Sequence, residues 1–195
     1  MPSSMLPIHA HRDTELSREQ VRAVVSLLKS IWPSEDKTLD EMIDAFFKAT
    51  QRRQKEHRSD QGAAPLRFVI WQDNQAIAHA NTFERTIVTA MGSMSVMALS
   101  GVCVALAHRG KGLGAAISRK AFERVDQGDF PVSLFQTPAP GFYEKMGARN
   151  VNNPFVNSRN TQDPDASPWH DVQVMIYPKQ YRWPDGVVDL NGSGY

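Results

Sequence analysis

The chain has 195 residues, of which 41% are hydrophobic and 22% are charged, and its net charge is +1 at pH 7. This is ordinary for one globular domain with a real core, and it gives no global electrostatic case for binding nucleic acid or an anionic membrane. A single cysteine excludes an intramolecular disulfide, and no apolar run approaches the roughly 20 residues that a spanning helix needs. The first residues also lack the pattern of a signal peptide. We therefore expect one cytoplasmic domain over residues 1–195, without nucleic-acid or membrane partners and compatible with a homodimer.

The first third of the chain predicts one short strand and two helices. Residues 8–11 (IHAH) are predicted as a strand. Ser17 and Gln20 have the spacing of a capping box, which predicts a helix that ends before Pro33. Residues 38–41 (TLDE) repeat this signal at the start of a second helix. Three aromatic residues at helical spacing are expected in the core of these helices: Trp32, Phe46 and Phe47.

The pattern then changes to strands. Residues 52–65 are polar and are predicted as a frayed helix end and a loop, and a turn at Asp73-Asn74 joins strands 67–71 and 76–88 in a predicted hairpin. A third strand over 94–106 is apolar on both faces, which favours a central position in the sheet. The later predictions are a helix at 112–125, a strand at 132–136, a short helix at 140–148 capped by Gly147, a strand at 171–178 and an irregular tail at 178–195. This order predicts an α+β (mixed α/β) fold in which one helix crosses between the central strand and the next.

Three glycines alternate with other residues where the central strand gives way to a helix. The stretch HRGKGLGAA (108–116) places Gly110, Gly112 and Gly114 beside Arg109 and Lys111. The first turn of a helix presents unpaired N–H groups that favour a phosphate, and glycine lets the backbone approach an anion closely. We therefore expect a diphosphate cradle here; the alternative is a tight turn in which the glycines only satisfy the geometry.

Two well-known phosphate motifs fit this stretch poorly. The Walker pattern needs Ser or Thr after Gly-Lys, whereas Lys111 is followed by Gly112. The dinucleotide fingerprint is formally met by Gly110, Gly112 and Ala115, but its first glycine does not directly follow the strand. The next strand ends at Gln136 instead of an acidic residue that would hold a ribose. A nicotinamide or flavin enzyme is therefore disfavoured.

The stretch VCVALAHRGKGLGAAI resembles the acetyl-CoA-binding motif of the GCN5-related N-acetyltransferases (GNAT). The family pattern V-x-P-x-x-R/Q-x-x-G-x-G/A is matched by Val104, Arg109, Gly112 and Gly114, and Leu106 stands where proline is usual. A second stretch, APGFYEKMGAR (139–149), is similar to the short helix of the family that carries a tyrosine. The matching residues there are Tyr143, Glu144, Lys145 and Gly147, with Ala148 in place of the common aromatic residue. The resemblance covers about residues 67–177.

This resemblance implies a mostly antiparallel central sheet flanked by helices, in which a splayed central strand pair forms a slot for coenzyme A. It implies that the pantetheine arm pairs with the backbone of Val102, Cys103 and Val104 like an added strand. The N–H groups that would hold the diphosphate belong to Arg109, Gly110, Lys111, Gly112, Leu113 and Gly114. The acetyl group would then pass directly from the thioester to an amine through a tetrahedral intermediate, without a metal.

Three residues are candidates for the chemistry. Tyr143 would be the general acid that protonates the leaving thiolate, because a free phenol keeps its proton at neutral pH; the alternative is a core tyrosine. His79 or Glu84 would accept the proton of the amine, and their odd separation places them on opposite faces of one strand. The backbone or a water chain could serve instead. Cys103 is expected to pack and not to act as a nucleophile. The other histidines show no spacing typical of metal ligands: His9, His11, His57, His108 and His170.

Three functions remain open at this point. The first is an N-acetyltransferase that acts on the primary amine of a small molecule. The second keeps the fold and the acetyl-CoA donor but acts on a protein N-terminus or a lysine. The third is a CoA-binding or sensing module without catalysis. The sequence does not name the acceptor, because that pocket is built from variable loops and helices.

Overall fold

The computed structural model describes residues 6–33, 35–56, 63–171 and 173–195. The chain divides into two compact units, of which the first comprises residues 1–81 and 101–121 and the second residues 82–100 and 122–195. The single domain expected from the sequence stays a prediction.

The described residues form thirteen helices and strands, besides two short 3-10 turns at Asp13–Glu15 and Leu106–His108. In chain order they are β1 (Ile8–His11), α1 (Arg18–Ile31), α2 (Leu39–Glu56), β2 (Leu66–Gln72), β3 (Gln75–Thr89), β4 (Gly92–Val104), α3 (Leu113–Asp126), β5 (Ser133–Gln136), α4 (Pro140–Glu144), β6 (Arg149–Val151), β7 (Phe155–Val156), β8 (Val174–Tyr177) and β9 (Val188–Asp189). The strands follow the order β1-β2-β3-β4-β5-β8-β6, and β9 pairs with β3 and β7. The sheet is mostly antiparallel, with parallel pairs at β4–β5 and β7–β9. The α+β class predicted from the sequence is confirmed.

Local sequence signals fix the starts of the first elements. The Ser17 Oγ accepts the Gln20 N–H at 3.2 Å, and the Gln20 Oε1 accepts the Ser17 N–H at 2.9 Å, which completes the predicted capping box. Asp73 and Asn74 both have positive φ, 49° and 60°, as a two-residue hairpin turn requires. The predicted strand at Ile8–His11 is also present, antiparallel to β2.

In the first unit, α1 and α2 bury one apolar cluster between them. Its buried residues are Leu16, Val21, Val25 and Ile43, with the half-buried Phe46 and Phe47 packed against it. The expectation that Trp32 belongs to this core is wrong, because its side chain is 51% exposed. Trp32 is the residue at which α1 ends, with φ −120° and ψ 82°. Its side chain therefore leaves the helical register that buries the preceding apolar face.

Several element ends differ from the prediction. Strand β4 ends at Val104 and not at residue 106, because Leu106–His108 fold into a 3-10 turn. Helix α2 runs to Glu56 and does not fray from residue 52. Strand β8 begins at Val174 and not at residue 171. Residues 57–62, which include His57, and residue 172 lie outside the described residues.

The second unit corrects the prediction of an irregular tail at 178–195. Strands β6, β7 and β9 were not predicted, and β9 lies in that tail, where Asp189 pairs with Val88 and Val188 pairs with Phe155. Val188 and Leu190 are fully buried in the core of this unit. The tail is rich in turn residues, but its apolar side chains alternate, so the short extended piece inserts into the core.

Among the described residues, no helix combines the length and apolar character that crossing a membrane requires. The cytoplasmic location and the homodimer expected from the sequence stay predictions.

Candidate functional site

The glycine turn between β4 and α3 is built on two left-handed residues. Gly110 and Gly112 have φ of +77° and +78°, a region that strongly favours glycine. An added Cβ at either position would meet no atom within 4 Å, so the backbone conformation, and not crowding by the protein, requires glycine there. Arg109 and Lys111 are both exposed beside these glycines.

Helix α3 begins directly after this turn. The first helical hydrogen bond runs from the Ala116 N–H to the Gly112 oxygen at 3.0 Å. The N–H groups of residues 113–115 therefore precede the helical hydrogen-bond pattern and carry the positive end of the helix dipole. Backbone N–H donors together with two cations are the donor set that a diphosphate needs. The residues present fit this ligand.

The end of β4 lies just before the turn. Cys103 is buried at 6% exposure, and the flanking Val102 and Val104 are half-buried. The Arg109 Nε donates to the Val104 oxygen at 3.3 Å, which ties the turn back to the strand end. Burial raises the pKa of the Cys103 thiol to about 12, and the nearby Arg109 only partly opposes this. The thiol stays protonated at neutral pH and packs in an apolar cluster with Val24.

His79 lies inside the first unit and is 1% exposed. Its Nε2 lies 2.9 Å from the Arg67 Nη1, and its Nδ1 lies 2.7 Å from the Gly101 oxygen. Burial, and then the charge of Arg67, lower the pKa of His79 to about 3, while the contact with Gly101 acts in the opposite sense. His79 is therefore neutral at pH 7, and both of its ring nitrogens have partners. This geometry makes it a poor proton acceptor.

Tyr143 lies on α4 in the second unit, 7% exposed. Its ring centroid is 4.7 Å from that of Phe135 and 4.9 Å from that of Phe142. The predicted helix over 140–148 is shorter than expected and ends at Glu144. The chain turns out of the helix before Gly147, whose φ is +93°. The predicted glycine cap is therefore present, but it follows a helix that is shorter than predicted.

This turn holds the residue that carries the candidate acid. The Ala148 N–H donates to the backbone carbonyl oxygen of Tyr143 at 3.1 Å, and the Gly147 N–H donates to the backbone carbonyl oxygen of Glu144 at 3.0 Å. These two bonds form a Schellman motif. The backbone of Tyr143 is therefore fixed although its helix has only five residues.

Glu84 also lies in the second unit, on β3, and is half-buried. Its Oε1 accepts a hydrogen bond from the Ser95 Oγ at 2.7 Å. The candidate residues therefore divide between the units. The first holds His79, the end of β4 and the glycine turn; the second holds Tyr143 and Glu84.

Three residues around His79 were not found from the sequence. Gly101 has φ +59° inside β4, and an isolated glycine in a strand pattern is a signal for such a break in geometry. Arg67 is a buried cation at the start of an apolar strand, and its partner is Asp13. No local pattern links Asp13 to Arg67, because 54 residues separate them.

Within the part of the chain that the structure describes, no three His, Cys, Asp or Glu side chains are grouped so that they could hold a metal ion.

Comparison with known proteins gives a clear family. Residues 14–151 match the family model described as an acetyltransferase (GNAT) domain. No curated protein sequence matches the chain at a significant level.

Solved structures show the same fold at low sequence identity. The chain is similar to the GNAT family N-acetyltransferase YhbS from Escherichia coli in complex with CoA, with a TM-score of 0.57 and 12% identity over 97% of this chain and 93% of that one. It is also similar to a GCN5-related N-acetyltransferase from Kribbella flavida, with a TM-score of 0.56 and 14% identity over 74% of this chain. That match spans only 33% of the Kribbella protein. A third similar structure is glucosamine-6-phosphate N-acetyltransferase from Arabidopsis thaliana, with a TM-score of 0.51 and 18% identity over 75% of this chain and 94% of that one.

Proposed function

The chain belongs to the acetyltransferase (GNAT) family and is an acyltransferase, and from this premise we propose that it transfers an acetyl group from acetyl-CoA to the primary amine of a small molecule. The observation that carries the proposal is the glycine turn at the end of β4. Gly110 and Gly112 are left-handed, and together they turn the chain from a strand into a helix whose first N–H groups lie outside the helical pattern. That combination suits a diphosphate.

The backbone that precedes the turn is proposed to hold the pantetheine arm. The parallel register between β4 and β5 comprises Met97↔Ser133 and Ala98↔Leu134, and among the described residues it extends no further. Strand β4 itself continues to Val104. The proposal requires a strand end with backbone groups that can pair with an extended ligand at Val102, Cys103 and Val104.

In the proposed reaction the amine nitrogen forms a bond to the thioester carbonyl carbon, and a tetrahedral intermediate results. When this intermediate collapses, the carbon–sulfur bond breaks and the Tyr143 hydroxyl gives its proton to the leaving thiolate. The nitrogen loses a proton to Glu84, directly or through water. We do not assign this step to His79, because the lone pair of its Nε2 already accepts from Arg67 and its pKa is lowered to about 3.

A small acceptor is proposed because the net charge of the chain is only +1. This balance gives no support for a strongly charged macromolecular partner. The Arabidopsis protein is named for an amino sugar phosphate, but at 18% identity that likeness carries the fold alone.

A panel assay tests this proposal. The protein is incubated with acetyl-CoA and a set of amines, and the release of free thiol is followed; the same mixture with peptides bearing free N-termini or lysines serves as comparison. Thiol release that depends on a small amine supports the proposal. Release with peptides alone would replace it by a protein acetyltransferase. Tight binding of acetyl-CoA without transfer to any acceptor would replace it by a sensing module.

A further inference from the structure

A chain of buried polar groups crosses the first unit from its N-terminal turn to strand β4. The Arg67 Nε donates to the Asp13 Oδ1 at 2.6 Å, and the Arg67 Nη1 lies 2.9 Å from the His79 Nε2. The His79 Nδ1 lies 2.7 Å from the Gly101 oxygen. The three side chains of this relay (Asp13, Arg67 and His79) are 7%, 6% and 1% exposed. The Arg67 guanidinium also lies over the Phe46 ring, 4.6 Å from its centroid.

The chemistry of arginine gives this relay a direction. A guanidinium has only donors, so the His79 Nε2 facing Arg67 must be the acceptor. In a neutral imidazole the other nitrogen then carries the proton, and it is this Nδ1–H that donates to the Gly101 carbonyl. Arg67 thus selects the neutral tautomer of His79 whose Nδ1 can donate to the Gly101 carbonyl oxygen, and the Asp13 carboxylate fixes the orientation of Arg67.

The carbonyl that receives this bond belongs to a break in the geometry of β4. Gly101 has φ +59°, and a Cβ built there would lie 3.2 Å from the His79 Cε1 and 3.3 Å from its Nδ1. The backbone conformation therefore favours glycine strongly, and a Cβ there would also press against the imidazole. Beyond Gly101, the Ala105 N–H donates to the Ile77 carbonyl oxygen of β3 at 2.9 Å.

Such a break decides which way the next residues present their backbone. Successive residues of a strand alternate in direction, and a bulge-like residue resets that alternation. The residues directly after Gly101 are Val102, Cys103 and Val104, whose backbone the proposed function assigns to the pantetheine arm. The hydrogen bond from His79 fixes the orientation of the Gly101 carbonyl, and with it the direction in which the backbone of these three residues begins.

We propose that Asp13, Arg67 and His79 are positioning residues for acetyl-CoA: they lock the His79 tautomer that holds the Gly101 carbonyl, and so orient the backbone of Val102–Val104 toward the pantetheine arm. This inference rests on the proposed function. A buried charged network is seldom the most stable filling for a core, since apolar residues of similar volume often do as well or better. Its presence beside the strand end is therefore explained by orientation and not by stability alone.

Two substitutions of His79 separate this role from a packing role. In His79→Asn the side-chain amide nitrogen takes roughly the place of the Nδ1–H and can still donate to Gly101. In His79→Gln the longer side chain reaches roughly the place of Nε2, keeps a partner for Arg67 and loses the Gly101 contact. Both variants shorten or reshape the same buried group, so a packing role predicts similar effects from both.

The measurement is the dissociation constant of acetyl-CoA by titration calorimetry, with folding of each variant checked by circular dichroism. We expect His79→Gln to weaken binding about tenfold, the effect of one lost hydrogen bond of typical strength, and His79→Asn to bind within about twofold of the wild type. Equal affinities in the two variants would overturn the relay while leaving the proposed function intact. Failure of the wild type to bind acetyl-CoA would overturn both.

A second measurement reads the His79 tautomer directly, first in the wild type and then in Arg67→Met. Nitrogen-15 NMR of the wild-type imidazole distinguishes the two neutral tautomers, and the relay predicts that Nδ1 carries the proton at pH 7. In Arg67→Met the donor to Nε2 is gone, so the Nδ1–H signal should weaken or give way to Nε2–H. A wild type with its proton on Nε2 would contradict the proposal even if both His79 variants failed to fold.

Discussion

Removal of the Tyr143 hydroxyl should separate catalysis from folding. In Tyr143→Phe the ring is kept, and with it the packing against Phe135 and Phe142 at 4.7 and 4.9 Å between centroids. The stability lost with one hydroxyl is about 1 kcal/mol. A positioned proton donor, by contrast, contributes roughly 10²–10⁴ to a rate, which corresponds to about 3–5 kcal/mol of activation free energy. We therefore expect a nearly normal fold and a large loss of turnover.

The same aromatic cluster offers a matched control. The Tyr177 ring stacks on Phe122 with 4.0 Å between centroids, and its hydroxyl donates to the Asp126 Oδ1 at 2.8 Å. Burial, with the contact to Asp126, raises the pKa of Tyr177 to about 12. Tyr177→Phe removes an equivalent hydroxyl that has no role in the proposed reaction. Its removal should cost a similar amount of stability. It should leave kcat within about twofold, because this hydroxyl bonds to Asp126 and takes no part in the proposed proton transfer.

The assay is steady-state thiol release with an amine that the panel identifies, for the wild type and both variants. Because the hydroxyl acts in the transition state, the loss in Tyr143→Phe should appear in kcat as well as in kcat/KM. Calorimetry should show that acetyl-CoA still binds, since the proposed contacts are made by the backbone. If Tyr143→Phe kept more than half of the wild-type kcat under conditions where chemistry limits the rate, the reasoning would be refuted and Tyr143 would be a packing residue.

Two further predictions concern the buried network. Asp13→Ala removes the carboxylate beside the buried Arg67 charge and should lower the free energy of unfolding by about 3–5 kcal/mol. Arg22→Ala breaks an ion pair to Asp40 whose partners are half-exposed, and should lower it by only about 0–1 kcal/mol. Urea unfolding of the two variants compares these costs, and equal costs would contradict the burial argument. The pKa of His79 is lowered to about 3 in the fold from its ordinary 6.5, so between these values the unfolded chain binds a proton that the folded chain does not. The contribution of the neutral His79 to stability is therefore complete above pH 6.5 and is lost as the pH falls toward 3. The urea midpoint of the wild type should drop more between pH 7 and pH 5 than that of His79→Asn. Parallel pH profiles of the two proteins would show that His79 does not contribute.

The parts of the fold that the sequence predicted well depend on neighbours in the chain. The box at Ser17 and Gln20 and the turn at Asp73-Asn74 form from residues within four positions of each other. Gly147 was likewise readable as a cap, although the Schellman turn before it leaves α4 shorter than its apolar pattern suggests. The turn between β4 and α3 could be predicted because alternating glycines are unfavourable within a helix and are typical of a tight turn before one.

The parts that were missed depend on distant partners. Strand β9 exists because Asp189 pairs with Val88 and Val188 pairs with Phe155, and a two-residue strand has no periodicity of its own. The relay joins Asp13, Arg67 and His79 over separations of 54 and 12 residues, which no local motif encodes. His79 was a reasonable candidate base by its residue type, and only its burial and its two hydrogen bonds show why it is a poor one.

The central claim is that acetyl-CoA binds on the glycine turn, and the most direct measurement is the thermal shift that acetyl-CoA causes in matched glycine variants. Gly112→Glu places a bulky anion where the diphosphate should lie, at φ +78°, and Gly128→Glu introduces the same strain at φ +87° in an exposed turn after α3, with no atom within 4 Å of the new Cβ in either case. At about 100 times its dissociation constant, acetyl-CoA should raise the melting temperature of the wild type by roughly 5 °C or more. The account predicts the same rise in Gly128→Glu and none in Gly112→Glu. A full shift that survives in Gly112→Glu would contradict it.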